Sequence, residues 1–391
     1  MPHNFDEIID RNPTSSTKWS TRKLRHGDDE IIPLWIADMD FASPPAVIEA
    51  LKARAAHPIY GYTVAPDGWY EAIINWNAKR NAWKIKREWI CFTPGVVTAI
   101  DICVRAYSHP GDKVIVQTPV YYPFFSAILN NGRQIVENRL KLEDGRYLMD
   151  YEDLEKKIDA RTKMIILCSP HNPVGRVWER WELEKLVDVC ARKDILIVSD
   201  EIHSDLILGN IKHTCIASIS DEAARRTVTL MAPSKTFNLA GLKSSNIIIP
   251  EKKLREAYTN VTGSLSLGAN LFGLVAAEAA YSKGEAWLDE LLAYLRGNLK
   301  TMEEYVVSRI PELKVYPLEG TYLPWIDCKK LGLNDDQLRD FFLRKAKLWL
   351  DEGRVFGSGG SGFMRINIAC PRSLLLQALN RLENAVNELK K

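Results

Sequence analysis

The sequence predicts an α/β fold, with a large domain on a mostly parallel sheet and a smaller α+β domain after it. Three observations carry this reading. From about residue 89, short β-branched runs alternate with stretches whose apolar residues recur at helical spacing. Several runs, such as Ile195-Leu196-Ile197-Val198, are apolar without a break, as expected of strands buried on both faces beneath covering helices. Beyond residue 284 the alternation gives way to one long helical stretch, then short strands and two more helices.

Taken in order, strands are expected at 113–117, 162–168, 195–199, 227–231 and 244–249, each bounded by Pro, Gly or Asp. Helices are expected at 96–108, 150–158 and 181–192. Asp150 is placed to N-cap the second, and Asp153 in its first turn suits the helix dipole. A long helix over 284–310 ends at Pro311, which cannot continue it. Strands at 314–317, 321–327 and 363–369 and helices at 336–345 and 373–390 complete the smaller domain. At roughly 150 residues per domain, the 391 residues divide into three parts. Residues 1–45 form an N-terminal segment joining the small domain, 46–283 the large domain and 284–391 the small C-terminal domain.

Composition excludes several function classes. With 52 Lys+Arg against 50 Asp+Glu the net charge is +2, without the basic surplus that nucleic-acid binding needs. Hydrophobic residues at 46% and charged residues at 26% fit a folded globular chain. Residues 1–7 carry no basic region leading into an apolar stretch, so no signal peptide is expected and the location expected is cytoplasmic. The best apolar run, 271–281, is interrupted by Glu278 and falls short of the ~18 residues of a membrane span. Seven scattered cysteines with no C-x-x-C, and no H-E-x-x-H, give no expectation of a metal. Gly357-Ser358-Gly359-Gly360-Ser361-Gly362 matches G-x-G-x-x-G, but it precedes a strand instead of following one, so dinucleotide binding is rejected. A mobile loop beside a functional site is expected there.

The chemistry concentrates in four segments. Ser234-Lys235 lies after a strand, with Lys243 eight residues on. A lysine amine suited to a Schiff base thus has a hydroxyl and a second cation beside it to hold an anion. Ser199-Asp200-Glu201-Ile202-His203 places an acid at the carboxyl end of a buried strand, where α/β sheets bind ligands. A carboxylate there can keep a heteroaromatic nitrogen protonated. Asn172-Pro173 follows another buried strand and holds its amide in a rigid turn. Thr93-Pro94-Gly95-Val96-Val97 ends a strand and opens a helix, presenting free backbone amides to an anion; Tyr121 and Tyr122 follow, able to stack on a flat ring.

The order N-P-x-G, S-D-E-I-H, S-K-x-F-N-x-A-G-L-K and a late strand Met364-Arg365-Ile366 resembles the fold type I pyridoxal-phosphate enzymes, those of the aspartate-aminotransferase fold, nearly end to end. Within them, Pro33 to Phe41, Tyr60-Gly61-Tyr62-Thr63 and Asp200-Glu201-Ile202-His203 resemble the aminotransferase-like C–S lyases, or cystathionine β-lyases. His203 stands where related aminotransferases usually have Tyr, which favours the lyase.

The resemblance implies a set of roles. Lys235 would hold pyridoxal 5'-phosphate and act as base, Asp200 would pair the ring nitrogen, Asn172 the phenolic oxygen, and Tyr121 would stack. Val96, Val97, Ser234 and Lys243 would hold the phosphate, and His203 would line the cofactor. Arg365 would receive the substrate α-carboxylate, with Asn172 and Ala37 beside it, and Tyr122 would protonate or orient at the leaving sulfur. Tyr62 would reach the phosphate from the partner of a homodimer. The implied reaction is α,β-elimination of L-cystathionine or a related small amino-acid thioether to a thiol, pyruvate and ammonia. An aminotransferase uses the same residues, and a catalytically silent regulatory protein on this fold is the reading outside enzymes; Lys235, Asp200 and Arg365 argue for activity.

Overall fold

The computed structural model describes residues 3–391. Seven strands form the large sheet: β1 (Ile90–Thr93), β2 (Lys113–Val116), β3 (Gln134–Glu137), β4 (Thr162–Cys168), β5 (Leu196–Asp200), β6 (Thr227–Met231) and β7 (Ser245–Ile248). Their spatial order is β1-β7-β6-β5-β4-β2-β3. Neighbours from β6 to β3 run parallel, while β7 runs antiparallel to both β6 and β1.

Strand period explains the two apolar layers. Val114, Val116, Met164, Ile166 and Val198 pack on one face against helix α1 (Val96–Tyr107). The intervening Ile115, Ile165, Leu167 and Ile197 pack on the other, against Leu183, Leu186 and Cys190 of the helix Arg180–Arg192. Each such fully buried aliphatic side chain contributes about 1.5–3 kcal/mol of transfer free energy. Asp150 caps the helix Tyr151–Lys157 as expected, accepting from the Asp153 amide at 3.1 Å.

The long helix α2 (Glu285–Arg309) and the last helix α3 (Arg372–Leu389) flank a second, antiparallel sheet. It comprises β8 (Lys314–Val315), β9 (Trp325–Asp327), β10 (Asp351–Glu352) and β11 (Phe363–Arg365), in the order β8-β9-β11-β10. The N-terminal strand Ile32–Pro33 pairs in parallel with Leu348–Trp349. The same segment is pinned by buried Lys18, whose ammonium lies 2.7 Å from Asp40.

Three expectations change. The apolar run 363–369 is a strand only as far as Arg365. The Ile366 amide still donates to Pro324, next to β9, but proline has no N–H to return, and the Asn367 amide turns to the Leu34 carbonyl. The helix expected at 336–345 is α-helical over Asp335–Asp340 and then widens into a π turn, Phe341–Lys345. The Gly/Ser loop is not a free loop: the Ser358 amide donates to Glu137 at 3.1 Å and the Gly362 amide to Asp335 at 2.9 Å. Among the described residues no helix is long and apolar enough to cross a membrane.

Candidate active site

The carboxyl ends of β1, β4, β5 and β6 lie along one edge of the large sheet, and the turns leaving them close around a cavity of about 170 Å³. Ala37, Val96, Val97, Tyr121, Asn172, Asp200, His203, Ser234, Lys235 and Lys243 all line it. Residues far apart in the chain thus converge where parallel α/β sheets bind ligands.

Lys235 sits in the short helix Pro233–Thr236 after β6, and its ammonium donates to the Ala37 carbonyl. Burial lowers its pKa to about 8, with Arg365 and Lys243 adding to the effect and Asp38 and Asp200 opposing it. Asp200 ends β5 and accepts from the Ile202 amide at 3.2 Å. Burial pushes its carboxyl up to about 7, against the pull of that amide and of Lys235. A buried acid and a buried amine, each displaced toward neutrality, mark a functional site.

Asn172 accepts from Arg365 Nη1 at 2.9 Å through its side-chain oxygen, which leaves its NH₂ for the cavity. His203 is buried and Nδ1 has no partner. Burial, then the charges of Lys235 and Arg365, hold its pKa well below the usual imidazole value. The opposite end is built for an anion. The first amides of α1 have no intrahelical acceptor, since the first helical bond runs from Ala99 to the Gly95 carbonyl; Ser234 and Lys243 line the same cavity. The donor set suits a flat heteroaromatic ring carrying an anionic tail.

Three residues that sequence reasoning assigned, Tyr62, Tyr122 and Arg365, lie outside the lining of this cavity in their own chain. Tyr62 is fully exposed at 113% relative accessibility. Tyr122 packs next to Tyr121, with ring centroids 5.5 Å apart, and against Phe356 at 5.8 Å. Arg365 is 2% exposed and reaches the cavity wall through Asn172. Sequence reasoning missed Ser244, whose buried hydroxyl lines the anion end without a partner, and Cys168, which pairs with Asp200 across β4 and β5. Adjacency to Lys243 was the available signal for Ser244. It also missed Tyr322, a buried phenol donating to the Ala37 carbonyl at 3.1 Å.

Residues 29–382 match the family model described as aminotransferase class I and II. The chain belongs to this family. Among curated relatives it is 44% identical to cystathionine beta-lyase PatB of Bacillus subtilis (strain 168), over 98% of this chain and 100% of that protein. Among solved structures, cystalysin from Treponema denticola, which contains a pyridoxal 5'-phosphate cofactor, superposes with a TM-score of 0.97 at 40% identity, covering 100% of both chains. The PLP-bound C–S lyase from Staphylococcus hominis superposes at 0.91 with 33% identity, covering 99% of this chain and 98% of the other. The likeness spans both sheets of this aminotransferase-family fold and the segment that joins them.

Not every cluster of reactive groups is a site. Ligand atoms of Glu201, His213 and Cys215 lie within 4.8 Å of one another. The Glu201 oxygens already accept from Ser199, His213 and the Ile216 amide, at 3.0, 2.8 and 3.1 Å, so the cluster anchors the loop after β5.

Proposed function

We propose that this family member is a pyridoxal-phosphate-dependent C–S lyase. It catalyses α,β-elimination of L-cystathionine or related cysteine S-conjugates to a thiol and 2-aminoacrylate, which water hydrolyses to pyruvate and ammonia. The observation that carries the reading is one cavity lined by a depressed-pKa lysine, a carboxylate at a strand end and an amide, with a guanidinium bonded to that amide from behind the wall.

The residues fit the cofactor. Only one oxygen of Asp200 has a protein donor among the described residues, which leaves the other for a pyridinium N–H. The free NH₂ of Asn172 suits a phenolic oxygen, and the orphaned Ser244 hydroxyl joins the α1 amides, Ser234 and Lys243 around a phosphate. Tyr121 supplies a ring face. Lys235 is the amine that would hold the aldehyde. When bound, the cofactor draws electrons from the substrate Cα and so makes its proton removable.

The chain's own groups do the rest. Lys235, its pKa lowered to about 8 so that the neutral amine is accessible, takes the Cα proton. Arg365 binds the substrate α-carboxylate and, through Asn172, is tied to the ring position; Ala37 borders the same space. As the Cβ–S bond breaks its electron pair leaves with sulfur, and Tyr122, beside the carboxylate receptor, orients or protonates the thiolate. His203, held neutral, lines the cofactor without adding a charge. Residues 46–283 serve as the cofactor-binding domain, with 1–45 and 284–391 forming the smaller one. The working form is a cytoplasmic homodimer in which Tyr62 contacts the phosphate in its partner's cavity.

Incubation with L-cystathionine and no keto acid tests the reading. Stoichiometric pyruvate and thiol support elimination, whereas product that appears only with an added keto-acid acceptor makes the chain an aminotransferase.

A further inference from the structure

Arg365 and Asp351 stand directly opposite each other on the antiparallel strands β11 and β10, so their side chains rise on one face of the small sheet. Asp351 Oδ2 accepts from Arg365 Nη2. The same nitrogen donates to the Trp35 carbonyl at 2.9 Å, and Nη1 donates to Asn172 at 2.9 Å. The guanidinium lies over the Phe356 ring, 4.9 Å from its centroid. Arg365 Nε is buried without a partner, and the two ions are 2% and 9% exposed.

A guanidinium carries five N–H groups. Both on Nη2 and one on Nη1 are used, leaving Nε–H and the second Nη1–H. An arriving α-carboxylate therefore meets a cation that already faces a buried anion. Two carboxylates sharing one buried cation repel, and such a pair is relieved when one of them gains a proton. Asp351 is the one placed to gain it. Burial already raises its pKa, against the pull of Arg365 and helped by Glu352, whereas an α-carboxyl is intrinsically the stronger acid. The other ionisable groups facing this point are Lys235, His203 and Tyr322, which all feel the Arg365 charge, and Tyr121 and Tyr122, just before the helix Pro123–Leu129, with Arg25 of the N-terminal helix Arg22–His26 beyond Tyr122. The three phenols stay neutral, their pKa values raised mainly by burial, and burial likewise keeps His203 uncharged.

We infer that Asp351 is a resident carboxylate of the substrate receptor: it orients Arg365 before an amino acid binds, and takes one proton from solvent when the α-carboxylate joins the same guanidinium. This makes Asp351 a positioning residue, and it rests on the proposed role of Arg365. The complex then holds one proton more than its separate partners, so affinity for amino acids rises as pH falls. An amine without a carboxylate leaves the Asp351–Arg365 pair undisturbed and lacks this dependence.

Calorimetric titration of the holoenzyme with 2-methylalanine, which has no Cα proton to lose, and with isopropylamine tests this. Repeating each titration in two buffers of different ionisation heat counts protons. The expected result is about one more proton taken up with the amino acid than with the amine. Asp351→Asn should abolish that difference and bind 2-methylalanine about tenfold tighter at pH 8, with isopropylamine unchanged, since a like charge is worth about one pKa unit. Asp351→Glu should restore the proton. Equal proton counts for the two ligands in the wild type overturn the inference, as does an Asn variant that binds both ligands more weakly. If wild type binds amino acid and amine equally well, the Arg365 reading itself fails. If the amino acid binds better yet brings no extra proton, Asp351 alone is misassigned.

Discussion

Lys235 and Asp200 attract each other, yet burial works against the charge on both. Without cofactor each costs stability in a different pH window. Asp200, with a folded pKa near 7 against an ordinary value of 3.8, holds more protons folded than unfolded between those limits, so stability falls as pH rises through them. Lys235, near 8 against 10.5, holds fewer, so stability rises as pH climbs through that interval and the full penalty applies below it. Cofactor-free Asp200→Asn should therefore melt above the cofactor-free wild type at pH 8, and the two curves should meet near pH 4. Superimposable melting-temperature profiles would rule out the buried-acid account. With cofactor the order reverses in function: Asn cannot keep the ring nitrogen charged, and turnover should drop on the order of 10²–10³. At this scale the sequence was informative, because Lys235, Asp200, Asn172, His203 and the Gly95-Val96-Val97 turn all stand at strand ends that a parallel sheet brings to one edge. Asp351 was not legible. Its partnership with Arg365, 14 residues on, depends on the register of two short strands, and the strand carrying Asp351 leaves no signal in the sequence.

The strand pair that carries Asp351 and Arg365 leads into a turn with no room for a side chain at Gly353. A Cβ on Gly353 would meet the Gly360 carbonyl and lie 2.6 Å from the Phe363 carbonyl oxygen, both backbone groups that cannot swing aside. Gly353→Ala should destabilise the protein by about 1–3 kcal/mol, the range for overpacking, and raise KM more than it lowers kcat, because β10 and β11 are displaced together. Urea denaturation and steady-state kinetics measure the two effects; an Ala variant with unchanged stability would mean the loop yields freely. The same geometry explains the G-x-G-x-x-G match, since positive φ at Gly357, Gly359 and Gly362 serves a tight turn between strands. Long apolar runs such as 162–168 and 227–231 coincide with β4 and β6, since continuous burial leaves a composition signal. Three of the small sheet's strands of two or three residues lie inside the longer runs expected at 314–317, 321–327 and 363–369, only Asp351–Glu352 leaving no signal, and their limits follow from where tertiary partners change.

Across the whole molecule, a segment between the helices Pro45–Ala56 and Asp67–Arg80 stands out. Ile59, Tyr60, Tyr62 and Val64 are 67, 57, 113 and 83% exposed, a row of large apolar side chains with no strand pairing among the described residues. Contiguous apolar exposure of this kind marks a surface that another molecule covers, and the proposed dimer supplies one by passing Tyr62 to the partner's phosphate site. Two substitutions separate covering from contact. Ile59→Asp places a charge at the start of the row and should yield monomers with weakened cofactor binding. Tyr62→Phe keeps the apolar surface and removes only the hydroxyl, so the dimer should persist while cofactor affinity falls about tenfold, as expected on losing a hydrogen bond to a charged group. Sedimentation velocity and cofactor fluorescence titration read the two properties separately. A dimeric Tyr62→Phe that binds cofactor like the wild type would remove Tyr62 from the partner's site and leave the interface standing. A wild type that sediments as a monomer at assay concentration would remove both, because the anion end of the cavity would then rest on α1, Ser234, Lys243 and Ser244 of a single chain.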